Sequence, residues 1–267
     1  MTPELSLLDL TIAGLLLLIN GTLSLALGLG LERALLVAVV RLVVQLSLMG
    51  LVLKALFATM SPGWTALAAG VMVLFAGREI RARQRRPLTG GWGYGLGTAC
   101  MLAAAVSVTV FALATSVRPD PWYDPRYALP LLGMVLGNTM TGISLGLDSL
   151  ANALVGERVA VEARLALGGT RWQATGPVTR RALTTALMPI INSMAATGLV
   201  FLPGMMTGQI LAGADPQQAV RYQILIMFLI AGGTALGAGG AVMGGVWRLT
   251  DGRHRLRLER LRGEGRR

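Results

Sequence analysis

Histidine, cysteine and lysine each occur once in these 267 residues, as His254, Cys100 and Lys54. Single copies cannot build a disulfide or a His/Cys metal cluster. The apolar part of the chain holds no histidine, so a nucleophile-base-acid triad would lack its base. Lys54, in VLKAL, follows no glycine-rich loop and precedes no Ser or Thr, which excludes ATP hydrolysis by a P-loop in this chain. The glycines of GGWGYGLG, residues 90–97, open an apolar run rather than follow a strand, so they make a poor dinucleotide loop. Charge is scarce as well. Charged residues make up 14% of the chain against 54% hydrophobic ones, too little polar surface to solvate an ordinary globule.

What is present is a set of long uncharged tracts. There are 23 residues between Lys54 and Arg78, 31 between Arg86 and Arg118, 21 between Arg126 and Asp148, and 33 between Arg181 and Asp215. Each exceeds the roughly 20 apolar residues that a helix needs to cross a hydrocarbon core of about 30 Å. Residues 10–32, 34–55 (interrupted by Arg41) and 223–247 add three more. No alternating pattern favours strands. The expectation is an all-α polytopic membrane helix bundle of about seven transmembrane helices, with a permease domain over 1–250 and a basic cytoplasmic tail over 251–267. Glu4 and Asp9 precede the first tract without any basic residue, so a cleaved signal peptide is not expected.

Seven crossings from an external N-terminus put nineteen of the 24 basic residues on one side: Arg33, the run from Arg78 to Arg86, Arg158 to Arg181, and Arg248 to Arg267. The positive-inside rule then makes the C-terminus cytoplasmic. The net charge of +11 answers a lipid bilayer with anionic headgroups rather than a nucleic acid. The tail from Arg253 is expected as a short surface helix or as disorder. Ser61-Pro62 and Asp215-Pro216 each pair a capping side chain with a proline at the first helical position, marking two helix starts. The external loop from Thr115 to Tyr127 carries three prolines, with Trp122 and Tyr123 placed for the headgroup level.

The longest cytoplasmic segment, residues 152–181, reads as a helix stopped by Gly168-Gly169 and then resumed. Glu162-Ala163-Arg164 followed by Gly168 fits EA-x-x-x-x-G, similar to the EAA loop of ABC transporter permeases, although Arg164 stands at the third position. The resemblance implies a coupling helix, carrying Glu162, Ala163, Gly168 and Gly169, that docks on an ATPase subunit. A plain solvated surface helix is the competing reading.

A wider resemblance extends this. PLLGMVLGNTMTGISLGLDSL (130–150), ALGGTRWQA (166–174), MPIINSMAATGLVFLPGMMTGQILAGADPQQAVRYQI (188–224) and VRLVVQLSLMGLVL (40–53) resemble the FetB-type permeases. These are membrane subunits of a bacterial ABC iron exporter, related to plant aluminium-tolerance permeases. The resemblance implies export of iron or another metal ion, a cytoplasmic ABC ATPase that uses the ATP, a permease homodimer in the cell inner membrane, and no cofactor in this chain. An organic or nucleotide-sugar substrate, or an ATPase-independent channel or scaffold, remains the alternative.

Polar side chains inside spans are expensive and face a bundle interior or a path. Asn138, Thr139 and Met140 near the middle of one span, and Asn192 and Ser193 just after Pro189 in another, are candidates for the translocation path, with helix–helix glue as the rival role. Arg41 and Gln45 share a helix face, and Arg41 needs a partner, for which Asp148 is a candidate. In LPGMMTGQIL, Pro203-Gly204 is expected to end a helix at the external face. Pro203, Gly204, Met205, Met206 and Gln209 then form an outer gate, its methionines serving packing before ligation. No metal ligand is assigned. The glycine-rich last span is a candidate subunit interface.

Overall fold

Prolines and short polar caps decide where the helices begin. The computed structural model describes residues 6–263; Glu4 and the last two arginines of the tail lie outside the described residues. Ser6 forms a capping box with Asp9 at the start of α1 (Leu7–Ala26), and α2 (Glu32–Thr59) follows. Pro62 opens α3 (Pro62–Ala82), although the Ser61 hydroxyl accepts no bond from that helix. Next come α4 (Trp92–Ala112), continued by one π-turn over Leu113–Val117, and α5 (Pro125–Gly156), whose cap Asp124 accepts from the Arg126 amide. The last four are α6 (Arg158–Ala166), α7 (Arg171–Ala196), α8 (Gly204–Leu211) and α9 (Pro216–Arg248). Asp215 caps α9 by accepting from the Gln218 amide.

The protein is an all-α polytopic membrane bundle. Six helices, namely α1, α2, α3, α4 with its π-turn, α5 and α9, are long and apolar enough to cross a membrane. The remaining expected span corresponds to the second half of α7. That helix is 26 residues long, but Arg180 and Arg181 interrupt it and its uncharged part runs only from Ala182 to Ala196.

Small residues let the central helices touch. The two longest, α5 and α9, pack along each other, with α4 and α7 against both and α3 against α4 and α5. A Cβ on Gly142 of α5 would stand 2.7 Å from the Thr234 methyl of α9 and 3.2 Å from the Ala186 carbonyl of α7, so three helices meet there without room for a side chain. On α9, Gly233 lies against Val135 and Gly237 against Thr139, while Gly245 faces Leu147 and Leu150. These glycines of the last span, expected at a subunit interface, are therefore consumed inside the protomer. By contrast α1 and α2 stand at the margin, with leucines such as Leu16 and Leu46 almost two-thirds exposed.

The tail folds back instead of forming a surface helix or staying disordered. Leu261 pairs with Leu88 in an antiparallel bridge, the Thr89 amide donates to the Arg260 carbonyl (2.8 Å), and the Arg262 amide donates to the Pro87 carbonyl (2.9 Å). Asp251 organises the turn by accepting from the Arg253 and Arg255 amides and from the Arg255 guanidinium. Those hydrogen bonds, with the Arg255 charge, hold its carboxyl far below the usual carboxylate range. Leu249, Leu256, Leu258 and Leu261 join a core cluster with Leu150, Leu154, Val161 and Val178, so tail, α5, α6 and α7 share one end of the bundle.

Candidate translocation path and coupling helix

At the tail end, α6 is seated by one side chain. Val161 is fully buried among Leu154, Ala174 and Val178, which turns the opposite surface of this short helix outward. Glu162 lies on the open side, paired with Arg158 one turn earlier (2.8 Å), and Ala163 is exposed. The helix ends in a Schellman motif. The Gly168 amide donates to the Leu165 carbonyl and the Gly169 amide to the Arg164 carbonyl, both at 3.0 Å. Gly168 takes φ +88°, and a Cβ on Gly169 would come 2.8 Å from the Arg164 carbonyl oxygen, so both glycines are dictated by backbone. Thr170 then caps α7 in a box with Gln173. Around this turn, Val159 (81% exposed) and Leu167 (88%) project with Trp172. Apolar groups so bare at a basic end mark a contact surface.

Arg164, the departure from the EAA pattern, serves as a brace. Its guanidinium donates to the Ala174 carbonyl (3.2 Å), tying α6 to α7. Arg181 pairs with Glu157 across the same junction. His254 of the tail accepts from the Arg171 amide at the start of α7 (3.1 Å), so the tail supports this corner too.

In the spans, neighbouring candidates separate onto different faces. Thr139 is completely buried against Gly233 and Gly237 of α9, whereas Asn138 is exposed on the other side of α5, its amide donating to the Met134 carbonyl (2.9 Å). Met140 is half-buried at the margin of the main core. On α7, Asn192 is exposed and Ser193 half-buried. Because α5 and α7 meet at Gly142 and Ala186 and run in opposite directions, Asn138 and Asn192 lie on the same side of that crossing, within about one and a half turns of it.

Arg41 takes a partner other than Asp148. Its guanidinium meets Glu79 of α3 at 2.6 Å, while Asp148 accepts from the Arg85 amide (2.7 Å) and from Asn152. Gln45, one turn along α2 on the same face, is exposed. Position within the fold decides this exchange: Glu79 is level with Arg41 on the adjacent helix, whereas Asp148 has the chain turn after α3 above it. The sequence signal for Glu79 was its isolation as the acid within AGREIRAR.

LPGMMTGQIL also differs from expectation. Helix α7 stops at Ala196, and Gly198 (φ +91°) turns the chain before Leu202 is reached. Pro203-Gly204 does not end α7; it begins the separate helix α8, with Pro203 as its N-cap. Met206 is buried beneath α8, and Gln209 is half-buried. Met205 lines a cleft of about 380 Å³ with Arg126, Tyr127, Met134 and Tyr222, a set that sequence order scatters over four segments. Among the described residues, no group of three or more His, Cys, Asp or Glu side chains is placed to hold a metal ion.

Comparison with known proteins fits this architecture. Residues 7–249 match the family described as "Uncharacterised protein family (UPF0014)". The UPF0014 membrane protein slr1647 of Synechocystis is 39% identical over 206 residues, covering 76% of this chain and 78% of that protein. The protein ALUMINUM SENSITIVE 3 of Arabidopsis thaliana is 37% identical, covering 77% of this chain and 73% of its own. The probable iron export permease protein FetB of Escherichia coli is 32% identical over 204 residues, covering 76% of each. No solved structure matches. With nearly the whole chain spanned by the family match and several relatives above 30% identity, this protein is a member of the UPF0014 family of membrane proteins.

Proposed function

We propose that this chain is the membrane-spanning permease subunit of an ABC transporter, exporting iron or another metal ion from the cytoplasm with ATP hydrolysed by a separate ATPase subunit. The observation that carries the reading is the corner formed by α6 and α7. A short helix pinned by Val161 presents Glu162 and Ala163 outward beside the bare Val159, Leu167 and Trp172, at the basic end of a polytopic bundle. Such a helix transmits force because it is rigid against α5 and α7 and open toward the partner. The positive-inside rule supports placing this end in the cytoplasm and α8 outside, with the N-terminus external. The name of the E. coli relative, an iron export permease, supports the cargo. Asn138 and Asn192 are the residues assigned to the path, with Met205, Met206 and Gln209 at its outer end and the inner membrane as the site of action.

Iron here is cargo, and the path need not hold it tightly. Amide and hydroxyl oxygens at membrane depth offer weak, exchangeable ligation, which suits passage better than a fixed cluster of carboxylates.

The docking assignment is tested by Glu162→Lys in membranes that contain the permease and its candidate ATPase. The substitution reverses charge outside the core and leaves Val161 seated, so the permease stays folded. Stimulated ATP hydrolysis and co-purification of the ATPase should both be lost. Undiminished coupling in that variant removes α6 from the docking role.

A further inference from the structure

We propose that the outward face shared by α5 and α7 seats the same face of a second copy of this chain, so that the transport path runs between two protomers. The inference rests on the transporter reading for the path, but the interface itself stands on the distribution of polar groups.

On α5, Asn138, Thr141 and Leu145 follow one another at spacings of three and four, and on α7 Thr185, Met188, Asn192 and Ala195 do the same. Each of these residues is open or half-open on the single chain. Thr141 and Asn138 have only carbonyls of their own helix as acceptors, and Asn192 makes no hydrogen bond within the described chain. The helices carrying them cross at Gly142 and Ala186, in the middle of α5, which is where lipid would surround this face if nothing covered it. Amides in hydrocarbon without partners are costly, and polar residues in spans accordingly face protein or water.

The other outer surface has the opposite character. α1 and α2 expose Leu8, Leu15, Leu16, Leu46 and Leu51, as lipid requires, and the charged pair of α2 is turned toward Glu79 of α3. The glycines of α9, the other candidate for an interface, are used within the protomer.

A second copy is the occupant that this face fits. An asparagine amide carries both a donor and an acceptor, so Asn138 and Asn192 find complementary groups in their own images across a two-fold axis. Open Gly137, beside Asn138, lets the two α5 backbones approach closely. Two asparagines from each copy then surround a polar seam that a single chain leaves half built, and α6 of each copy faces the cytoplasm for its own ATPase.

The test is cross-linking of the full chain in native membranes. In a Cys100→Ser background, Thr185→Cys (nearly isosteric), Asn138→Cys and Asn192→Cys are treated with a short bifunctional maleimide, with Leu46→Cys as the control. Covalent dimers at Thr185→Cys and at either asparagine position, with none at Leu46→Cys, are expected. Native mass measurement of the unsubstituted protein should give a pair of permeases. A monomer by mass, or a dimer that cross-links through α2 and not through α5 and α7, overturns the proposal. Neither readout needs ATP, iron or the ATPase. Failure here moves the interface and leaves the transport reading standing, whereas a cross-linked dimer without ATP-driven flux defeats the transport reading alone.

Discussion

Gly233 and Gly232 are adjacent on α9 and meet opposite surroundings, so substituting each with alanine isolates packing from helix propensity. A Cβ on Gly233 would sit 2.7 Å from Val135 Cγ1, well inside the ~3.5–4.0 Å of a good carbon contact. Val135 is fully buried and β-branched, so it cannot rotate aside. A Cβ on Gly232 meets nothing within 4 Å. Alanine gains up to about 1 kcal/mol of propensity at both positions, which cancels between them. The forced shift at Gly233 costs about 1–3 kcal/mol. For a protein of this size that difference corresponds to a gap of about 2–12 °C between the two melting temperatures. Thermal unfolding of the purified chains in a mild detergent measures it. Equal melting temperatures would refute the inward orientation of α9 and free its glycines for an intersubunit role.

Replacing Glu79 by Gln strands Arg41 within the membrane, and the amount of folded protein recovered from membranes should fall. The double variant Arg41→Gln/Glu79→Gln should recover part of it, and a double variant no better than the single would show that the 2.6 Å pair contributes nothing. At the tail, the carboxyl of Asp251 is held far below its unfolded value of about 3.9, so its contribution is complete above that value and is lost only as pH falls through the lower folded value. Amide protection of residues 250–257 should therefore be flat from pH 8 to pH 5, and Asp251→Asn should lower it throughout. A decline in the unsubstituted protein between pH 6 and pH 5 would contradict the hydrogen-bonded turn.

Much of this fold is legible in the order of residues because a membrane enforces length. The uncharged tracts between Lys54 and Arg78 and between Arg86 and Arg118 became α3 and α4, and Asp215-Pro216 started α9 as its chemistry dictates. The Gly168-Gly169 pair was equally readable, since a left-handed cap leaves few other choices. Tertiary exchange was not. Arg41 could be seen to need a carboxylate, yet choosing Glu79 over Asp148 requires the relative heights of three helices. The pattern LPGMMTGQIL advertised a break without saying that Gly198 had already made it and that Pro203 would cap a new helix. The tail's return to Leu88 depends on a contact across 173 positions, and no local periodicity announces it. Within the candidate path, adjacent Asn138 and Thr139 looked alike in sequence; a rotation of about 100° per residue sent one outward and the other into α9.

Transport by this chain should require both ATP and α6, because the metal ion moves only when an ATPase works on that helix. Inverted membrane vesicles containing the permease and its ATPase, supplied externally with iron and ATP, measure that directly. The expected result is iron accumulation in the vesicle lumen that requires ATP hydrolysis and is abolished by Glu162→Lys. Iron flux of equal size without ATP, or ATP-driven flux that persists in Glu162→Lys, would contradict it.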